Sequence, residues 1–144
     1  MRPALALVAT SILAGCATAP PPQPAGRWSL QASATAGAAL VFSDETRIAC
    51  RRNPPDLLVS APNGPGTGGK VTLSVGRQTF DLQGEAGAPS LVATGPLPPG
   101  LPAALMSGGP VVIRAGGANL QMPPPDGKLA AAFAISCRSG PGLA

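Results

Sequence analysis

The sequence contains no histidine and no tyrosine, and aromatic residues fill only 3 % of its 144 positions. Without histidine, the chain cannot supply a Ser-His-Asp triad, a Cys-His pair or a histidine-ligated metal site. Charged residues are also scarce, at 11 %, and leave a net charge of +4. Because no dense basic stretch is interleaved with aromatic side chains, we expect no nucleic-acid partner.

Core-forming residues are few as well. The apolar fraction is 44 %, but alanine supplies much of it, and leucine, isoleucine, valine and phenylalanine together make just over a fifth of the chain. Glycine and proline, with 19 residues each, make about a quarter. This balance predicts a small domain with a thin core and many turns.

The start of the chain has the composition of an export signal. Met1 and Arg2 form a short positive segment, and residues 4–13 are apolar except for Thr10 and Ser11. Ten residues are too few to cross about 30 Å of hydrocarbon as a helix. We therefore interpret the apolar run as the central region of a signal peptide.

A four-residue motif closes this segment. Leu13-Ala14-Gly15-Cys16 resembles the lipobox of bacterial lipoproteins. The resemblance implies that the sulfur of Cys16 receives a diacylglycerol, that the chain is cut before Cys16, and that the new amine is acylated. Since Ala17 is not aspartate, the resemblance also implies sorting to the outer membrane, facing the periplasm, with inner-membrane retention as the alternative. The competing interpretation is an ordinary secretory signal with a chance cysteine.

A proline-rich stretch, ATAPPPQPAG, follows at residues 17–26. An extended spacer of this kind advances ~3 Å per residue, enough to lift a folded domain clear of lipid headgroups. We therefore expect a lipoprotein signal peptide at 1–15, a lipidated cysteine with its tether at 16–26, and a small β-rich periplasmic domain at 27–144.

Beyond the tether, short apolar runs recur between turn-forming residues. In one of them Val71, Leu73 and Val75 alternate with polar residues, as in a strand with one buried face. The pattern predicts a mainly β fold, a small antiparallel β-sandwich or barrel. The predicted strands are 27–32, 39–43, 47–51, 57–61, 70–75, 78–83, 91–94, 111–115 and 118–122.

Two segments favour helix. Pro102 begins a short run that ends before Gly108, which predicts one or two helical turns. Asp126 is a candidate N-cap for the alanine-rich segment 128–137. A strand there would place Phe133 and Ile135 on one face, but the helix propensity of alanine favours a short C-terminal helix.

Two cysteines, Cys50 and Cys137, remain beyond Cys16. In an oxidising compartment an isolated pair most often forms one disulfide, and closing so long a loop would stabilise the domain by about 4–5 kcal/mol. The alternative, a redox or metal-binding pair, lacks a CxxC motif and any histidine. We predict a disulfide, no metal and no cofactor.

Arg47, Arg51 and Arg52 surround Cys50 and form a candidate anion-binding group for lipid phosphate or an acidic glycan. On a strand, Arg47 and Arg51 would share one face and Arg52 the other. The alternative is a solvated face whose arginines pair with the acidic residues at 44 and 45.

The segment Gly64–Lys70 has the spacing of a phosphate-binding P-loop, but Val71 stands where that motif needs a hydroxyl. A strand follows instead of a helix, so we predict a hairpin loop joining strands 57–61 and 70–75. No G-x-S-x-G or S-x-x-K motif is present, and the spacing of the carboxylates proposes no catalytic pair. We expect no enzymatic activity.

Residues 25–30, AGRWSL, are similar to the start of the small lipoprotein β-barrels that inhibit proteases. Those inhibitors usually carry a closely spaced disulfide, whereas Cys50 and Cys137 lie 87 positions apart. We therefore expect an outer-membrane-anchored lipoprotein with a non-catalytic binding or structural role, its partners being membrane lipid at Cys16 and an envelope protein or an anionic glycan or lipid. Protease inhibition is the alternative, and hydrolysis by an acid pair a third.

Overall fold

In the part of the chain that the structure describes, nine antiparallel strands form one sheet that curls into a half-barrel, and two helices pack against it. The computed structural model describes residues 27–33, 37–43, 45–52 and 55–138. The predicted signal peptide, Cys16 and the tether lie outside these residues.

The predicted strands and helices are confirmed to within two residues at each end, and so is the mainly β fold with its short C-terminal helix. The strands are β1 Trp28–Ser33, β2 Gly37–Phe42, β3 Thr46–Arg52, β4 Pro55–Ala61, β5 Gly69–Val75, β6 Gln78–Gly84, β7 Leu91–Pro96, β8 Val111–Ala115 and β9 Ala118–Met122; the helices are α1 Leu101–Met106 and α2 Gly127–Arg138.

The strand order is β1-β2-β3-β4-β7-β6-β5-β8-β9. The prediction of a hairpin between β4 and β5 is wrong, because β7 and β6 lie between them. Residues 62–68 instead cross the end of the sheet, where the backbone N–H of Leu91 at the start of β7 donates to the carbonyl of Gly64 at 2.9 Å. Turn composition showed that a loop was present, but it carried no information about which strand pairs with β4.

The inner face of the half-barrel is filled by side chains. Along β5, Val71, Leu73 and Val75 point inward and are almost inaccessible to solvent. Leu101 and Leu105 of α1 and Phe133 of α2 complete this core. The interior is therefore a packed core, and ligand-sized depressions must be sought on the outer surface.

Local residues explain where α1 begins and ends and where α2 begins. Pro102 lies in the first turn of α1, and the Ser107 hydroxyl donates to the carbonyl of Ala104 at 2.6 Å as the helix ends. The Asp126 carboxylate accepts a hydrogen bond of 2.7 Å from the backbone N–H of Lys128, confirming it as the cap of α2. Within the described part of the chain, neither helix is long and apolar enough to span a membrane.

The predicted disulfide is confirmed. Cys50 in β3 and Cys137 in the last turn of α2 are bonded, with their Cα atoms 5.8 Å apart. The bond fastens the end of the C-terminal helix to a strand formed 87 residues earlier. It therefore closes most of the domain into one covalent loop.

Trp28 is buried where the domain begins. Its ring packs against Phe42 with centroids 5.2 Å apart, and its indole Nε1 donates to the carbonyl of Pro123 at 2.7 Å. Since β1 and β9 are the two edges of the sheet, this hydrogen bond links the first strand to the residue that follows the last one.

Candidate functional site

The candidate anion-binding arginines all lie on β3, but on both of its faces. The inward neighbours Ile48 and Cys50 are buried, whereas Arg47 and Arg51 are exposed on the outer face. Arg52 lies on the same side as Cys50. The predicted distribution over two faces is therefore found, and the structure does not bring the three guanidinium groups together.

Arg51 is engaged by a carboxylate. Its guanidinium forms a two-pronged ion pair with Asp56, directly opposite on β4, and the Nε donates to Oδ1 at 2.6 Å. These hydrogen bonds raise the pKa of Arg51 above its ordinary value. The pair is charge-neutral, so Arg51 has little attraction left for an external anion.

Arg52 forms a contact within the domain. Its Nη2 donates to the carbonyl of Ser136 at 3.5 Å, in the last turn of α2 and beside Cys137. Helix carbonyls without an internal partner attract cations, so this contact and the disulfide hold the same end of the helix.

Arg47 is the member of the group that could meet a ligand. It is exposed, and no carboxylate pairs with it within residues 27–33, 37–43, 45–52 and 55–138. The alternative pairing with Glu45 is not found, since the Glu45 carboxylate accepts a hydrogen bond of 3.0 Å from Asn63 instead. Asp44 lies outside the described residues.

Arg47 and Arg51 flank a depression of about 440 Å³ on the outer face of β1–β4, here called the arginine groove. Its floor holds Ala39, Ala49 and Leu58, which face one another across β2, β3 and β4. Small alanine side chains between longer neighbours create the depression. With the exposed Arg47 as its cation, the groove can accept an apolar group that carries negative charge at one end.

The floor of the arginine groove was not predicted from the sequence. Outward positions of an antiparallel strand are usually polar, which gives alternation. The β2 sequence GAALVF breaks that rule, and every residue in it is buried. An apolar run without alternation was the available signal for an apolar patch on the outer face.

The carboxylates have local roles. Among the described ones, four are engaged by nearby donors: Glu45 by Asn63, Asp56 by Arg51, Asp81 by Lys70, and Asp126 by the N–H of Lys128. Glu85 is exposed. Each of these four carboxylates thus has a hydrogen-bond donor or a cation beside it, and these contacts account for their placement.

The segment with P-loop spacing ends in β5, as the sequence predicted. Lys70 lies in the strand and approaches Asp81 at 3.2 Å, and Val71 is buried in the core. No helix N-terminus follows to hold a phosphate. In the described ranges, no three His, Cys, Asp or Glu side chains are grouped as metal ligands.

Comparisons of this chain with protein-family models, curated proteins and solved structures find no match.

Proposed function

We propose that the protein is a lipid-anchored component of the bacterial outer membrane, facing the periplasm, with a non-catalytic binding or structural role. The observation that supports this best is the disulfide between Cys50 and Cys137. The bridge uses two of the three cysteines in the sequence. The third is Cys16, which lies in the lipobox-like motif.

The bridge also agrees with export. Disulfides persist in oxidising compartments such as the periplasm and are rare in the cytosol. Two features with separate physical origins, a motif at residues 13–16 and a covalent bond in the folded domain, thus favour the same side of the inner membrane. Several acyl chains on Cys16 would anchor the domain firmly, since each buried methylene contributes about 0.8 kcal/mol.

A binding or structural role is favoured by the use of the polar side chains. The described carboxylates are mostly committed to ion pairs and a helix cap, and two of the three candidate arginines are held by Asp56 and Ser136. The arginine groove is a described surface suited to an anionic envelope partner, with Arg47 facing it.

Fractionation of cells that express the full chain tests the anchor. The wild-type protein is expected in the outer-membrane fraction, and Cys16→Ser is expected to leave it. The double variant Cys50→Ser/Cys137→Ser is the matched control, because it removes two cysteines without touching the motif and should stay in the membrane. Equal membrane association of Cys16→Ser and wild type would refute the proposal.

A further inference from the structure

We propose that a second depression, on the outer face of β5, β8 and β9, binds a phosphate group. This depression, called the basic groove, measures about 550 Å³ and is lined by Lys70, Thr72, Arg114, Asn119 and the turn Gly116–Gly117. The proposed anchor does not involve it, and of its lining residues only Lys70 belongs to a motif singled out in the sequence, the segment with P-loop spacing. The inference therefore stands independently of lipidation at Cys16.

Strand pairing assembles the donors of the basic groove. Arg114 on β8 lies directly opposite Thr72 on β5 and Asn119 on β9. Its neighbours Ile113 and Ala115 are buried, so the Arg114 side chain lies on the outer face. These cross-strand partners have Cβ atoms about 5 Å apart, which places a guanidinium, a hydroxyl and an amide side by side.

A second cation lies diagonally across the same face. Lys70 precedes Thr72 by two residues on β5, and diagonal neighbours in an antiparallel pair are about 7–8 Å apart. Lys70 and Arg114 are 44 positions apart in the sequence, and the pairing of β5 with β8 brings them to one groove.

The basic groove keeps an excess of positive charge. No carboxylate pairs with Arg114 among the residues that the structure describes. Lys70 approaches Asp81 at 3.2 Å, but both side chains are more than half exposed, so the pair is weak and readily exchanged for another anion. Two cations thus face one carboxylate.

This set of donors suits a phosphate better than a single carboxylate ligand. A guanidinium binds two phosphate oxygens in parallel, and an ammonium adds a point charge from another direction. The Thr72 hydroxyl and the Asn119 amide can donate to the remaining oxygens. The shared chemistry is a phosphate ester, either free in solution or in the headgroup of an anionic phospholipid.

Calorimetric titration of the full-length protein in neutral detergent tests the basic groove. One arm uses inorganic phosphate and glycerol phosphate, and the other uses short-chain phosphatidylglycerol with short-chain phosphatidylcholine as the reference. Arg114→Gln is expected to weaken binding by about tenfold, the loss of one charge-assisted hydrogen-bonding group. Lys70→Gln is expected to weaken it by a smaller factor.

Asp81→Asn is expected to change the affinity in the opposite direction. It releases Lys70 from its ion pair, so binding should become several-fold tighter. Arg77→Gln, which removes an exposed arginine from the turn between β5 and β6, is the matched control for net charge and should bind like wild type. Circular dichroism checks that each variant is folded.

The two arms separate the sources of the phosphate. Binding of the soluble phosphates that falls in Arg114→Gln supports a free ester as the ligand. Binding of phosphatidylglycerol alone, again falling in Arg114→Gln, supports a lipid headgroup. No binding of either probe, or binding that Arg114→Gln and Asp81→Asn leave unchanged, overturns the proposal.

Discussion

The indole of Trp28 donates a hydrogen bond of 2.7 Å to the carbonyl of Pro123. The two residues are 95 positions apart, one in the first strand and one directly after the last. A half-barrel has two free edges, and this contact joins the chain at both of them. The single tryptophan of the sequence therefore links the two edges of the sheet.

Trp28→Phe is expected to lower the free energy of unfolding by about 1–2 kcal/mol, since the ring packing is largely kept and the hydrogen bond is lost. Urea unfolding followed by circular dichroism measures this. Gln31→Ala, at an exposed position of the same strand, is the control and should be near neutral. If the free energy of unfolding falls by the same small amount in both variants, the contact with Pro123 does not stabilise the domain.

Removal of the disulfide in the double variant Cys50→Ala/Cys137→Ala is expected to lower the free energy of unfolding by about 2–5 kcal/mol. The loop that the bond closes is long, so the unfolded chain gains considerable freedom when it is absent. Urea titration of wild type with and without reductant provides the independent comparison. If reductant leaves the urea midpoint of the wild-type protein unchanged, the result would contradict a stabilising disulfide.

Gly37→Ala is expected to lower the free energy of unfolding by about 3 kcal/mol or more, because an added Cβ would overlap the neighbouring strand, and steric overlap in a packed region is strongly destabilising. A Cβ at residue 37 would lie 1.9 Å from the carbonyl oxygen of Cys50, and the residue has a φ of +104°, which favours glycine. Gly127→Ala, where a Cβ meets nothing within 4 Å, is the matched control. Thermal unfolding of the pair should separate them clearly, and similar midpoints would show that β2 can move away from β3.

Asp126→Ala is expected to lower stability by about 1 kcal/mol through loss of the cap of α2. The hydrogen bond to Lys128 satisfies a backbone N–H that the helix itself cannot. Glu85→Ala removes an exposed carboxylate elsewhere and should be neutral. Equal effects of the two variants on urea unfolding would indicate that the charge matters and the cap does not.

Local sequence patterns predicted the elements of this fold well. The alternation of Val71, Leu73 and Val75 marked a strand with one buried face, and the alanine-rich run after Asp126 marked a helix. These signals depend on neighbours a few residues apart, which a sequence displays directly. The pairing of β4 with β7 was not predictable in this way, because it depends on residues 30 to 40 positions apart.

The same distinction applies to the surface sites. Arg47, Arg51 and Arg52 were identified because they are close in the sequence, yet the fold gives Arg51 and Arg52 different partners and leaves Arg47 exposed. Lys70 was considered only for its P-loop spacing and Arg114 was not identified, because only the β5–β8 pairing brings the two together. Charge in a sequence shows which residues could meet an anion, and the strand order decides which of them do.

The proposed anchor depends on lipid at Cys16, and the mass of the mature N-terminal peptide shows whether that lipid is present. The protein is isolated from bacterial membranes, digested, and its N-terminal peptide is analysed by mass spectrometry. The predicted result is a peptide that begins at Cys16 and carries a diacylglycerol on sulfur with an acylated amine. An unmodified peptide, or one that begins at another residue, would contradict it.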